Sequence, residues 1–526
     1  MGGGRVQLLA RGAQDDLLTG NPQVSFWKRA YKRHTRFAVE TVRQQLLSVP
    51  AFGASTSAVV SRNGDLITHV VVRVTLPRLA QPVVERDVDT PAYPYWDYDT
   101  GAPALRAVAG LSSAMNTNGE ALVTPAQINN DARYYARYVN CVGHALLRRT
   151  EVRIGGQRVD CHYSAFAEMM DELTCSEEKR LGYARMIGKR YAADGVPADD
   201  YDPAAQTAVD GTGLETQMGQ SAPATLYVPL RFWFNRTTGH ALPLIALRHH
   251  DVELTFDLRA FEDLVVYDVG AGPRTMRDDP TTRAPQGAAV EFWNHPDTGG
   301  SAAMHFVPGA LAADGSRVPA GTESLQFDVF VDNVFLDANE RAYFETSQHE
   351  YLIQQLQAAE TRTLVLPGGD QERLRLTLPF KHACTELLLA CHADSDARAN
   401  RWFAYGETAR NADGGVGAER VRSAALVLNS QEPVEPLPGA FMRSVVPYRH
   451  HTRIPMRHVY VTSFALAPED TQPSGSCNLS RIRDARMDVV VANDAPHSDA
   501  FTVIVYALSH NVLRIAQGTA SVAFAL

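Results

Sequence analysis

Residues 69–77 read HVVVRVTLP. Val70, Val72, Val74 and Leu76 fall on one side of an extended chain, and Val71, Arg73 and Thr75 fall on the other. Successive side chains of a strand point to opposite faces, so this spelling predicts a strand with one face in a core. The same period of two recurs along the chain. Residues 252–258 (VELTFDL) set Val252, Leu254, Phe256 and Leu258 on one face. Residues 325–331 (LQFDVFV) do so with Leu325, Phe327, Val329 and Val331, and residues 373–380 (RLRLTLPF) with Leu374, Leu376, Leu378 and Phe380. One apolar and one polar face per strand predict antiparallel, half-buried sheets. Within TEVRIGGQRVD (150–160) the pair Gly155 and Gly156 supplies the positive φ of a two-residue hairpin turn.

Helical spelling is scarce. HYSAFAEMMDELTCSEEKR (162–180) spaces Phe166, Met169, Met170 and Leu173 at i, i+3, i+4 and i+7. LDANERAYFETSQHEYLIQQLQ (336–357) offers two capping boxes, Asp337 with Glu340 and Ser347 with Glu350. Many short strands with rare helices predict an all-β chain of sandwiches or jelly rolls. The organisation expected is an N-terminal arm over 1–23, a first sandwich over 24–258 with a long loop at 77–130, a connection with a surface loop over 259–322, and a second sandwich over 323–526.

The chain has 526 residues and a formal charge of -9, which disfavours a dedicated duplex-DNA binder. The six cysteines form no CxxC pair and are too sparse for a disulfide framework. MGGGRVQLLARGAQDD lacks the apolar core of a signal peptide, and no apolar run reaches the ~18 residues of a membrane span. The expectation is a chain kept in a reducing compartment. Only five of the 50 basic residues are lysine, a bias that a GC-rich coding sequence explains without any function.

No set of residues spells an active site. His249–His250 and His450–His451 are adjacent, so on a strand each pair points to opposite faces and is badly placed to chelate one metal. Asp97 and Asp99, beside Tyr93, Tyr95 and Trp96, suggest the carboxylate pair of a sugar-cleaving sandwich, yet in a Tyr/Pro-rich loop they read first as turn formers. Asp394 and Asp396 begin like a calcium loop, but Arg398 stands at the next ligand position. Gly188, Lys189 and Arg190 lack the Ser/Thr and the upstream glycine of a phosphate loop. The glycosylation sequons at Asn235 and Asn478 are silent without a secretory signal. No catalytic residue, cofactor or metal is expected.

One stretch is chemically conspicuous. LTGNPQVSFWKRAYKRHTRFA (18–38) interleaves Lys28, Arg29, Lys32, Arg33 and Arg36 with Phe26, Trp27, Tyr31 and Phe37, a composition on which single-stranded nucleic acid could stack. Its surroundings favour another reading. GAQDDLLTGNPQVSFWKRAYKRHTRFA (12–38) resembles the N-terminal signature of major capsid proteins from nucleocytoplasmic large DNA viruses. GHALLRRTEVRIGGQRVDCHY (143–163) and DELTCSEEKRLGYARMIG (171–188) are similar to the next block of that family. LYVPLRFWFNRTTGHALPLIALRHHDVEL (226–254), VDNVFLDANERAYFETSQHEYLIQQLQ (331–357), HHTRIPMRHVYVTSFALAPEDTQPSGSCNLSRI (450–482) and YALSHNVLRIAQGTASVAF (506–524) resemble later blocks, in the family's order. Arg36, His458 and Arg483 depart from its pattern, where Asn, Gly and Asp are common.

The resemblance implies a double jelly roll: two eight-stranded antiparallel sandwiches side by side, with short helices in loops. It implies a structural, non-enzymatic protein that forms a pseudo-hexagonal homotrimeric capsomer in the icosahedral shell of a double-stranded DNA virus. Neighbouring capsomers, minor capsid and vertex proteins and the inner membrane layer would be its partners, with no specific nucleic acid. Location in the virion, after assembly in the host cytoplasm, follows from the same resemblance. Trp27, Lys28, Arg29, Lys32, Arg33 and Arg36 then become candidate assembly contacts. A carbohydrate-binding or carbohydrate-cleaving sandwich is the alternative, resting on Trp96, Asp97 and Asp99.

Overall fold

The computed structural model describes residues 3–23, 25–27, 33–86, 94–97, 102–105, 134–191, 215–216, 225–269, 273–274, 288–292, 302–311, 317–318, 325–359, 362–406, 418–431, 435–495 and 498–524. Its strands form antiparallel sheets, four of which build two sandwiches. The opening motif behaves as spelled: within Leu66–Thr75, Val70, Val72 and Val74 are buried while Arg73 and Thr75 are half-exposed. This strand sits between Gln326–Leu336 on one side and Thr225–Pro229 and Leu242–Pro243 on the other, and Phe37–Gln44 closes the far edge. The facing sheet runs Ser55–Val59, Val252–Leu258, Leu147–Ile154, Gln157–Tyr163. Gly155 and Gly156, at φ 57° and 80°, make its tight turn.

The second sandwich is organised by Asp499–Ala516. This strand pairs with His349–Ala358 and Arg362–Leu366 along one edge, and with Ala383–Ala393 along the other. Its facing sheet runs Gln371–Thr377, Ala485–Ala492, Val421–Leu428, Leu437–Pro438. Ala383–Ala393 (ACTELLLACHA) lacks the alternation of the other strands because both of its faces are covered. Leu387, Leu389 and Cys391 enter the core of the second sandwich, while Leu388 and Ala390 join a core continuous with the first. A strand buried on both sides spells a continuous apolar run.

Three sequence expectations change. Gln326–Leu336 was expected to open the second sandwich at 323, but it is an inner strand of the first, in register with both Phe37–Gln44 and Leu66–Thr75. Periodicity identifies a strand without identifying its sheet. The stretches 77–130 and 259–322, expected as a loop and a connection, contain strands that pair with each other: Arg78–Arg86 lies against Ala302–Leu311, which also pairs with Ala288–Phe292 and Arg317–Val318. Backbone pairing here overrides a composition rich in Gly, Ala and Pro. Finally, only the first capping box in 336–357 starts a helix. Asp337 accepts from the Ala338 amide and begins Ala338–Thr346, whereas Ser347 ends that helix, and ten ladder partners draw His349–Ala358 into the sheet.

Close backbone approach constrains one glycine absolutely. A Cβ on Gly439, the first residue of helix Gly439–His450, would lie 1.9 Å from the Val421 carbonyl oxygen. Gly182, inside helix Glu177–Ile187, faces open space. Gly439→Ala is therefore expected to cost at least ~1–3 kcal/mol as an overpacked site, and Gly182→Ala to gain up to about 1 kcal/mol from helix propensity. Urea unfolding midpoints of the two variants should move in opposite directions.

Candidate functional site

The basic and aromatic stretch is reached through two short helices, Gly3–Leu9 and Ala13–Thr19, in which Leu8, Leu9 and Leu18 are exposed. Phe26 is fully exposed and Trp27 is 83% exposed. Arg33 and Arg36 are exposed on the approach to Phe37–Gln44. Lys28, Arg29 and Lys32 lie outside the described residues. Exposed apolar side chains continue with Phe37, Val39, Leu47 and Val49. A single chain thus presents, between residues 26 and 49, a run of large apolar groups beside arginines. Such a run suits a surface that another protein covers.

The densest polar chemistry lies elsewhere, in the seam between the sandwiches. Helix Ser164–Thr174 buries Phe166, Met169 and Leu173 in the core. Its neighbouring face carries Glu168, Asp171 and Glu172, all buried, at i, i+3 and i+4. Helix Glu177–Ile187 then ends at Gly188, whose φ of 73° turns the chain inward, and Lys189 follows with no exposed surface. Asn140 holds this segment by accepting from the Arg190 amide at 2.7 Å. The Lys189 ammonium lies 2.7 Å from Glu168, 2.6 Å from Asp171 and 2.5 Å from Glu172. These three carboxylates are spaced as a divalent cation would require, and the ammonium occupies the place such an ion would take.

The second sandwich completes this cluster. After helix Gly439–His450 the chain inserts residues 453–457 against the first sandwich. Arg457 Nε donates to Glu168 at 2.9 Å, and its Nη1 donates to the Phe403 carbonyl at 2.7 Å. The Met456 amide donates to Glu172 at 2.8 Å, and the Arg453 amide donates to the Leu173 carbonyl at 3.0 Å. His144 Nδ1 is 2.9 Å from Glu168, and its Nε2 is 3.1 Å from the Tyr183 hydroxyl. Burial favours the uncharged acid at Glu168, but Lys189, the His144 hydrogen bond and Arg457 outweigh it and hold the carboxyl well below its usual range. Burial is likewise outweighed at Glu172, chiefly by Lys189, and that carboxyl is also lowered. Burial disfavours the Lys189 ammonium, yet Glu168, Glu172 and Asp171 hold its pKa well above the ordinary value. The cluster is therefore a set of matched charges rather than a proton donor or a nucleophile.

Other contacts cross the same seam. Arg259 stacks 3.7 Å from the Trp402 ring centroid, and Trp402 Nε1 donates to the Asp263 carbonyl at 2.8 Å. Asn400 donates to the carbonyls of Glu262 and Val265, and Asp160 accepts from the Leu356 amide at 3.0 Å. Arg236 donates to Gln354 and, at 2.7 Å, to the Glu469 carbonyl.

The other sequence candidates lie apart from this cluster. His450 and His451 diverge: His450 contacts the Leu466 carbonyl, while His451 lies 3.0 Å from Glu386 and 2.9 Å from Glu469. Burial lowers the affinity of His451 for a proton, but hydrogen bonds to the two carboxylates outweigh it and raise its pKa to about 9. His250 accepts from the Ala520 amide. Asp396 is buried against Arg420 (2.5 Å) and Arg401 (3.3 Å), and Asp394 pairs with Arg398 (2.6 Å), so this segment forms a short helix and not a calcium loop. Asn235 donates to the Thr68 carbonyl, and exposed Asn478 accepts from the Ser480 amide. Trp96 and Asp97 belong to Pro94–Asp97, paired with Ala102–Leu105, whereas Asp99 lies outside the described residues.

Two expectations follow from the seam. Lys189→Met leaves three buried carboxylates without their ammonium and should cost about 3–5 kcal/mol, seen as a large fall in melting temperature; an unchanged value would refute the role. Stability should also fall at both pH extremes. The contributions of Glu168 and Glu172 are present above ordinary carboxylate pKa values and vanish as pH drops through their lowered folded values. The contribution of His451 is complete below its ordinary pKa of 6.5 and is lost as pH rises through about 9. In a pH series of thermal melts His451→Gln should remove the loss between pH 6.5 and about 9, and should also weaken the acid loss, because His451 helps hold the Glu469 carboxyl below its usual range.

The family profile described as "Large eukaryotic DNA virus major capsid protein" matches residues 340–521, and that of "Major capsid protein N-terminus" matches 25–97 and 120–337. The second match ends just past Gln326–Leu336, in agreement with the sheet to which that strand belongs. The major capsid protein of Phaeocystis pouchetii virus is 29% identical, with each chain covered in full. That of Paramecium bursaria Chlorella virus 1 is also 29% identical over the full length of both. Among solved structures, PBCV-1 VP54 superposes with a TM-score of 0.61 and 25% identity, covering 95% of this chain and 100% of that one. The Faustovirus major capsid protein, at 13% identity, shares the fold with a TM-score of 0.60 over 96% and 94% of the two chains. Two tandem sandwiches joined through a charged seam, and family matches along nearly the whole sequence, lead to one assignment: the chain belongs to the major capsid protein family of the large eukaryotic DNA viruses.

Proposed function

We propose that this protein is the shell-forming subunit of a large double-stranded DNA virus and that three copies form a capsomer with six sandwiches and a pseudo-hexagonal outline. The observation that carries this reading is the union of two sandwiches in one chain through a shared core and a buried charged seam. Three-fold symmetry acting on two fixed, similar bodies generates a near-hexagonal unit that tiles a surface. The role is structural, without catalysis, and its place is the outer shell of the virion after assembly in the host cytoplasm. Minor capsid and vertex proteins and the inner membrane layer would contact the assembled capsomers.

The exposed apolar run from Phe26 to Val49 supports an extensive interface for this surface. In this reading Trp27, Lys28, Arg29, Lys32, Arg33 and Arg36 belong to assembly contacts, their cations facing carboxylates of neighbours or an anionic inner layer. Light scattering of the purified chain should give three times the chain mass, and electron micrographs should show hexagonal outlines. A monomer at every concentration would overturn the proposal. Arg33→Glu should impair trimer or shell assembly; normal assembly with lost retention on single-stranded DNA would instead favour nucleic-acid binding by this stretch.

A further inference from the structure

Cys384 and Cys477 stand directly opposite each other on antiparallel neighbours, Ala383–Ala393 and Cys477–Asn478. Both are free thiols, and both face the core of the second sandwich. No other two of the six cysteines stand in register with each other. We propose that Cys384 and Cys477 form a reversible intrachain disulfide when the protein meets a small disulfide oxidant such as oxidised glutathione.

The ladder geometry supports the bond and its reversibility. The Leu479 amide donates to the His382 carbonyl at 3.0 Å, which makes that pair a hydrogen-bonded site. Two residues along, Cys384 and Cys477 fall on a site of the same type, where Cα atoms are about 5.5 Å apart. That separation lies inside the ~4.4–6.8 Å range of disulfides. Cβ atoms across such a site are about 4.5–5.5 Å apart, somewhat wider than the ~3.5–4.5 Å of a relaxed bridge. Closing the bond therefore draws the strands together, and a strained bridge is readily reduced.

Access sets the order of events. Cys384 is fully buried, whereas Cys477 is part-exposed. The Cys477 thiolate attacks one sulfur of oxidised glutathione, breaking its S–S bond and releasing one glutathione thiolate. The Cys384 thiolate then attacks Cys477 Sγ in the mixed disulfide and expels the second. The two departing thiolates take up the two protons lost by the cysteines, so one disulfide is reduced as another forms. Burial raises the pKa of both thiols, which lowers their thiolate fractions and slows the exchange.

The bridge would fasten a loop that serves the seam. Between Tyr460–Ser463 and Cys477–Asn478 the chain carries Glu469, which binds His451 through its carboxylate and Arg236 of the first sandwich through its carbonyl. The Phe464 and Ala465 amides both donate to the Thr385 carbonyl, and Ser474 ties the loop to Ala467. A Cys384–Cys477 bond adds a covalent link at the open end of this loop.

The test is incubation of the native full-length chain with oxidised glutathione, followed by denaturation, alkylation of the remaining thiols and peptide mass spectrometry. Free thiols should fall from six to four, a peptide linking Cys384 to Cys477 should appear, and reduced glutathione should restore both thiols. The oxidised chain should melt several degrees higher. Cys477→Ala, altered at the part-exposed position, should keep all five thiols and show no oxidant-dependent melting shift. Glutathione retained on Cys477 without a link to Cys384 would overturn the proposal. So would linkage of other cysteines, or six intact thiols while a reference dithiol peptide oxidises in the same solution.

Discussion

An ammonium with no exposed surface, surrounded by three carboxylates, fixes how the two halves of this chain meet. A buried ion tolerates little error in the position of its partners, because each unmatched charge costs several kcal/mol. Lys189 neutralises one of the three acids, and the balance is supplied largely by Arg457 and Arg453 from the other sandwich. The first sandwich alone therefore carries an excess of buried negative charge on its inner side. Docking of the loop at 453–457 satisfies that excess in one orientation. Replacing the whole cluster with apolar residues could preserve stability, but it would give up this orientational selectivity.

The apolar packing makes the same union from another direction. One sheet of the second sandwich is covered twice, by its own partner sheet and by the first sandwich. Its central strands thus belong to two cores at once. Separating the sandwiches would expose Leu388, Ala390, Tyr506 and Leu508, together with the matched ions. A hinge between domains normally runs through a small, polar contact; this contact is large, apolar and charge-matched. That rigidity suits a subunit whose neighbours must find it in one shape.

Much of the fold was legible from period-two spelling. The faces assigned to Val70, Val72, Val74 and Leu76 are buried as written, and the hairpin at Gly155 and Gly156 follows from its turn chemistry. Strand identity was legible where strand partnership was not. Nothing in LQFDVFV says that it joins the first sheet, because pairing across nearly 300 residues leaves no local mark. The seam was read only in part. Glu168, Asp171 and Glu172 form an acidic face on a helix whose apolar face was recognised, and their spacing was the available signal. Lys189 was considered only as a failed phosphate loop, and Arg457 lies 268 residues beyond it. Opposite charges so far apart become partners only through tertiary structure. The basic arm at Lys28, Arg29, Lys32, Arg33 and Arg36 was the easiest feature to see, because its chemistry is local.

The position of Gln326–Leu336 bears on how the chain is made. The first sheet places this strand between Phe37–Gln44 and Leu66–Thr75, with Phe37 opposite Leu336. A ribosome adding roughly 5–20 residues per second needs tens of seconds to reach it. Until then the outer edge of Leu66–Thr75 has no partner, and Phe37–Gln44 has no ladder to join. The nascent first half must wait, exposed to chaperones or to neighbouring nascent chains, while the second half is still unmade. Vectorial synthesis thus cannot complete one sandwich and then begin the next, and closure of the first coincides with the start of the second.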